Sequence, residues 1–358
     1  MEQRIDPWLI LAVVSILGAS LMTLHTVSYV VGSNLLLKQF LWGVIGLLVL
    51  MLMSLVRLDI YERLAPLFYG LSIVVLLLVL VVGEARSGNR AWIAIGPVTI
   101  QPSEFARLAT ILLAATWLAR RGGRHLRLRE VVVAVVMVAV PVVLVALEPD
   151  LGVALTYFPV LAVVLVLGGL PRWAWVLLIV LGLVAVQATW LYVLKPYQKN
   201  RVMTVFDPER DPFGGGYQVR QSKIAVGSGG IGGQGLGRGS QSQLRFLPAQ
   251  HTDFAFAVWA EATGFAGGTL LMLGYALMLA RIGKVAFTTD SRHGAVLAVL
   301  VGGWLVFQVV VNLGMVLGWL PTTGVTLPLF SYGGSSLIST CAALGVVQSA
   351  WRHRLVNQ

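Results

Sequence analysis

The sequence predicts an all-α, polytopic membrane protein of ten transmembrane helices, with a large extracytoplasmic loop between the seventh and the eighth. Three observations predict it. Only 11% of the residues are charged, against about 25% in ordinary soluble domains. Mean hydropathy is +0.84. Apolar runs of roughly 20 residues recur from end to end, each able to cross a ~30 Å hydrocarbon core as a helix. An ordinary soluble domain is excluded.

The expected spans are approximately 8–28, 35–56, 66–83, 101–119, 131–147, 151–169, 173–194, 252–280, 294–319 and 335–351. They form a single membrane domain over 1–358, with the large loop at 195–250 inside it. The first run is as uniform as its successors and no A-x-A-like site follows it, so it is read as a span, not a cleaved leader. The lone cysteine, Cys341, has no second thiol to pair with.

Orientation follows from the basic residues. Alternating the loops puts Arg4, Arg57, Arg63, Arg120, Arg121, Arg124, Arg127 and Arg129 on one side. Arg172, Arg281, Lys284, Arg292, Arg352 and Arg354 join them, making 14 of the 26 basic residues. Short loops rich in Arg and Lys stay inside, so both termini are expected in the cytoplasm. The run "ARRGGRHLRLRE" also suits anionic headgroups.

The 195–250 loop breaks that pattern. It carries eight basic residues against Asp207, Glu209 and Asp211, a net charge of five, yet it must lie outside. Long loops cross regardless of charge, and a basic outer surface suggests an anionic partner such as a phosphate, a pyrophosphate or lipid headgroups. Within it, Gly227, Gly229 and Gly232 spell G-x-G-x-x-G. No strand–helix–strand unit surrounds them and no Walker lysine follows, so no nucleotide site is expected. The glycines permit close backbone approach and positive φ; an anion-binding nest and a merely flexible loop are both open.

Further polar groups collect on the same side. Glu104 and Arg107 stand at i and i+3 after Pro102, the spacing of an internal ion pair. Asp150 sits in the turn "LEPDLG", where it also suits a helix cap. Lys38 lies near the outer start of the second span, and "LPTTGVTLPLFSYGGSS" supplies an irregular loop. Asp253 heads an apolar run, with Glu261 two turns inside it, and carboxylates so placed are costly. Irregular backbone at membrane depth must be buried or line a wet cavity, so an outward-opening cleft is inferred. His251 is read mainly as an interfacial side chain.

Five stretches carry a resemblance: "QPSEFARL" (101–108), "EPDLG" (148–152), residues 196–235, residues 240–265 and "NLGMVLGWLPTTGVTLPLFSYGGSS" (312–336). With them the chain resembles the SEDS family (shape, elongation, division and sporulation), most like its elongation branch. The resemblance implies a peptidoglycan glycosyltransferase that polymerises lipid II into β-1,4 glycan on the outer face of the cytoplasmic membrane. It implies work beside a class B penicillin-binding protein and other elongation-complex proteins, with membrane lipids around it and no nucleic acid or nucleotide. A lipid II flippase and a non-catalytic scaffold are the alternatives.

Asp253, in the "HTDF" motif, is the implied catalytic carboxylate, acting as general base or through a divalent cation (Mg2+ or Mn2+). Arg90, Arg107, Lys38 and Arg220 are the implied pyrophosphate contacts, and Glu104, Asp150 and Glu261 organise the cleft. Gln218 and Ser331 complete the substrate-binding set. The chain departs from the family in carrying Arg107 where Lys is common, Ala262 in "EATGF" for a commoner glutamate, and Thr326 for proline.

Overall fold

The computed structural model describes residues 5–31, 34–86, 89–96, 98–207, 211 and 214–353. The chain is mainly helical. In order come α1 (Pro7–Val31), α2 (Leu35–Leu55), α3 (Leu58–Val82), α4 (Pro102–Ala119), α5 (Leu128–Leu147), α6 (Leu151–Leu155), α7 (Phe158–Leu167) and α8 (Arg172–Ala188). There follow α9 (Pro196–Phe206), α10 (Gly215–Ser228), α11 (Ser240–Gln243), α12 (Ala255–Thr288), α13 (Arg292–Val316) and α14 (Gly334–Arg352).

Among the described residues, seven helices are long and apolar enough to cross a membrane: α1, α2, α3, α5, α8 with the π-helical turn that extends it, α12 and α13. The expected span at 101–119 is α4, which buries Glu104 and Arg107. That at 151–169 is divided between α6 and α7, and that at 335–351 is α14, whose inward face is largely small and hydroxyl-bearing. The third begins two turns earlier than expected, so Arg63 belongs to α3 and not to a loop.

α13 runs through the middle of the bundle, burying Leu297, Val301, Trp304 and Leu305 against the other helices. α8 is its opposite, with Ala174 alone buried while Val176, Ile179, Leu183 and Val184 face outward. Such exposed oil is at rest in lipid and would be a liability in water.

Two features were not visible in the apolar pattern. Residues between α3 and α4 form a small antiparallel sheet of β1 (Glu84–Arg86), β2 (Asn89–Ile95) and β3 (Val98–Ile100), in that order. The 195–250 segment carries α9, α10 and α11, and α10 packs onto α12.

Candidate functional site

Four irregular stretches meet at one end of the bundle. The turn at 247–254 delivers Asp253 just before α12. Its backbone is held from α13, where Asn312 Nδ2 donates to the Asp253 carbonyl at 3.0 Å and to the Val325 carbonyl at 2.8 Å. One buried amide thus ties the aspartate's turn to the 320–333 loop. Tyr332 N donates to the His251 carbonyl at 2.9 Å, and the His251 and Tyr332 rings meet edge-on with centroids 5.8 Å apart. Ala249 and Leu329, one in each loop, hold left-handed backbone at φ 47° and 63°. Non-glycine residues persist there only where their surroundings over-determine the conformation.

The Asp253 carboxyl is pushed above its ordinary value by burial, and the Thr252 side chain and the nearby Arg201 guanidinium pull it partly back. Arg201, on α9, also donates to the Thr322 carbonyl at 3.4 Å. The large segment therefore reaches the aspartate with a cation. Arg201 lies within a quoted motif, but its charge alone did not separate it from seven other basic residues of the segment.

Asp150 stands close by. Its Oδ1 caps α6 by accepting from Val153 N at 3.1 Å, and its Oδ2 accepts from Gln101 Nε2 at 2.8 Å. Burial raises its proton affinity, with the negative charges of Glu104 and Asp253 adding to the effect. Behind it, Arg107 and Glu104 form an ion pair sealed in protein, 0% and 3% exposed. Arg107 also donates to Thr156 Oγ1 at 2.7 Å and lies 4.3 Å from the Trp304 ring centroid, while Ser339 Oγ donates to Glu104 at 3.1 Å. The i, i+3 spacing foretold the pair. Thr156, Trp304 and Ser339 had no signal in the sequence.

The glycine-rich segment is a packed structure. Gln234 N and Gly235 N donate to the Glu261 and Ala262 carbonyls at 2.9 Å, and Phe265 N and Ala266 N donate back to Gly230 and Ile231. These bonds occur where α12 breaks at Gly264, whose φ is 65°. Side chains at Gly229 and Gly233 would collide with α12 carbonyls, which is why glycine stands there. Glu261, buried, accepts from Gln241 N at 2.7 Å and Ser242 N at 3.0 Å, anchoring α11. The N–H groups of Gly230, Gly233, Gln234 and Gly235 are spent on carbonyls, and those of Gln241 and Ser242 on this carboxylate.

The other candidates are scattered. Ser331 is buried and accepts from Leu327 N at 2.9 Å, stabilising its own turn. Gln218 lines a cavity of about 210 Å³ with Asn200, Arg201, Asp211, Gly214 and Gly215. Lys38 and Arg220 are exposed, on α2 and α10. Arg90 lies in β2, and its side chain is outside the described residues. Among the described residues, no group of three or more His, Cys, Asp or Glu gathers in a metal-holding arrangement.

Comparison with known proteins agrees with this architecture over the whole chain. Residues 5–355 match the model of the cell cycle protein family that groups FtsW, RodA and SpoVE. The peptidoglycan glycosyltransferase MrdB of Escherichia coli (strain K12) is 38% identical, over 98% of this chain and 94% of its own. A probable peptidoglycan glycosyltransferase FtsW of Thioalkalivibrio sulfidiphilus is also 38% identical, over 97% of this chain and 89% of its own. Among solved structures, a chain of a peptidoglycan synthase complex, studied for how it coordinates polymerization and crosslinking, superposes with a TM-score of 0.83. It is 37% identical, covering 98% of this chain and 99% of that one. The rod shape determining protein RodA of Thermus thermophilus superposes at 0.73 with 32% identity, covering 98% of each chain. This chain belongs to the FtsW/RodA/SpoVE family, the SEDS proteins.

Proposed function

We propose that this protein is a peptidoglycan glycosyltransferase of the elongation type, polymerising lipid II into β-1,4 glycan at the outer face of the cytoplasmic membrane. It crosses that membrane ten times with both termini in the cytoplasm, and works beside a class B penicillin-binding protein that crosslinks its product. The observation that carries the reaction is Asp253: a half-buried carboxylate, raised in proton affinity by burial, with Arg201 in reach and its backbone fixed by Asn312.

Asp253 takes the proton of the acceptor sugar's 4-hydroxyl as that oxygen attacks the donor's anomeric carbon. The bond from that carbon to the pyrophosphate oxygen breaks, and undecaprenyl pyrophosphate leaves with the electron pair. One displacement inverts α to β, so one base suffices and no covalent intermediate forms. A base with raised pKa holds the proton better, and general-base help is typically worth ~10²–10⁴-fold. Arg201, Arg220, Lys38 and Arg90 supply positive charge to the departing pyrophosphate. Arg107, sealed against Glu104, acts behind the cleft as a positioning residue. A divalent cation, if one binds, would be held by Asp253 and would neutralise charge on the leaving group.

The test is glycan polymerisation from purified lipid II, comparing native protein with Asp253→Asn, with and without partner and divalent cation. Long glycan from the native protein and none from a folded, partner-binding variant is the expected result. Equal polymerisation by both would remove Asp253 from the chemistry. No glycan under any condition would favour lipid transport or scaffolding.

A further inference from the structure

A second feature lies at the opposite end of the bundle. α3, α4 and α5 leave an open apolar groove of about 600 Å³, lined by Tyr69, Gly70, Ile73, Leu113, Trp117 and the α5 stripe Val132, Val133, Val136 and Val140. Of its polar wall groups, Tyr69 OH is already satisfied, donating to the Met137 carbonyl at 2.8 Å. From Val132 to Val140 the groove runs about 12 Å at 1.5 Å per residue, close to the ~15 Å thickness of one leaflet's hydrocarbon. Its volume is that of a ligand site (about 300–1,000 Å³).

The rim of this groove is cationic on all three walls. Residues three, four and seven apart share a helical face. Arg129 therefore lies one turn below Val132 and Val133, Arg121 one turn beyond Trp117, and Arg63 two turns below Gly70. The Arg121 guanidinium is 4.1 Å from the Trp117 ring centroid and pairs with Glu130. Around them, residues 57–63 and 120–130 hold seven arginines against Asp59, Glu62 and Glu130, a net of four positive charges. Arg120 takes Glu62, and Arg57 and Arg63 share Asp59, the latter loosely at 3.8 Å. Arg129 is exposed and makes no ion pair among the described residues.

We propose that this groove is a binding site for an anionic glycerophospholipid, with an acyl chain between α3, α4 and α5 and the phosphate on Arg63, Arg121 and Arg129. Charge complementarity selects the occupant. A zwitterionic headgroup brings its own cation to an already positive rim, and a partner helix would leave the arginines facing oil. Basic pockets between transmembrane helices on the cytoplasmic side bind anionic lipid headgroups by this chemistry. The site stands apart from Asp253 and does not depend on the glycosyltransferase reading; the orientation given above only names its leaflet.

The experiment is native mass spectrometry of the full chain from detergent, titrated with dioleoyl-phosphatidylglycerol or dioleoyl-phosphatidylcholine. The native protein is expected to retain phosphatidylglycerol preferentially. Each arginine beside an anionic headgroup is worth about fivefold, so Arg63→Gln with Arg129→Gln weakens retention about 25-fold and leaves phosphatidylcholine unchanged. Both side chains are exposed, so the fold survives. Gly70→Leu fills the groove, because a Cβ at Gly70 meets no atom within 4 Å, and lowers retention of both lipids. Val136→Trp, at another exposed position, serves as a second filler if that variant fails to fold. Equal retention of the two lipids by the native protein overturns the proposal, as does unchanged phosphatidylglycerol retention in the double arginine variant or the filled variant. Displacement of the bound lipid by undecaprenyl pyrophosphate would reassign the groove to a prenyl chain and overturn it too.

Discussion

Removing Arg107 alone leaves the Glu104 carboxylate buried with Ser339 as its remaining donor, strips the Trp304 face of its cation, and leaves Thr156 Oγ1 only its bond to the Val153 carbonyl. Breaking a buried pair from one side costs about 3–5 kcal/mol, most of it the uncompensated charge. Arg107→Ala should therefore lose about that much, and Glu104→Met a similar amount through the stranded guanidinium. Arg107→Lys keeps the charge but reaches one partner where the fork reaches two; one charged hydrogen bond, about 1.5–3 kcal/mol, is the expected loss. Glu104→Met with Arg107→Met buries no charge at all and should recover most of the stability, since well-packed apolar replacements of buried pairs are often neutral. Reversible unfolding in mixed micelles, run on the singles and the double, yields the coupling energy. If the losses add to within about 0.5 kcal/mol, the two side chains are independent, and the reading of a sealed pair behind the cleft is refuted.

Other outcomes follow from the same structure. Burial, helped by Asp150, pushes Glu148 from 4.5 up to about 8, and neither carboxylate oxygen has a hydrogen-bond partner among the described residues. The fold thus prefers the protonated acid, so native stability falls as pH rises from 4.5 through about 8. Glu148→Gln should melt higher than native protein by a margin that widens between pH 5 and pH 8; a constant margin counts against it. Gly264→Ala places a Cβ against the Ile231 carbonyl at φ 65°. With ψ at -162° this backbone is essentially glycine-only, so the variant should lose about 1–3 kcal/mol and expose the 227–239 segment to proteolysis. Asn312→Ala strands two carbonyls at about 1–3 kcal/mol each if both stay buried. It should lower the polymerisation rate in a protein that still folds, and an unchanged rate would deny Asn312 its role in placing Asp253. Finally, the acid limb of the polymerisation rate should sit above the ordinary aspartate value of 3.8, because burial raises Asp253 and the base acts ionised.

What the sequence revealed was what local rules govern. Apolar length placed the long helices, and i, i+3 spacing gave Glu104–Arg107 because neighbours on a helix face must meet. The β1–β3 sheet was hidden because three-residue strands have too little period to read. The break at Gly264 was hidden too, since a helix interrupted by one glycine keeps its apolar run. The glycine-rich segment shows the limit clearly. Composition said that backbone would come close to something, and only the fold could say that the something is α12. Arg201 and Asn312 were missed for the same reason, since each acts on a turn far from it in sequence.

The polar end of the bundle is better described as a graded series of charges than as a single carboxylate. Arg107 cancels Glu104 in the interior, and Glu104 in turn bears on Asp150, whose proton affinity it raises. Asp150 and Asp253 repel across the mouth, and Arg201 offsets that repulsion from the outer segment. An aspartate placed alone against this oil would take up a proton and cease to be a base. One placed beside several cations would be too weak a base to accept one. Desolvation raises Asp253 and Arg201 restrains it, so its charge depends on both the bundle, which buries it, and α9, which carries the cation. If Asp253 is the base proposed above, movement of the outer segment would change its strength as well as access to it, and the 195–250 segment would then take part in the chemistry and not only cover it.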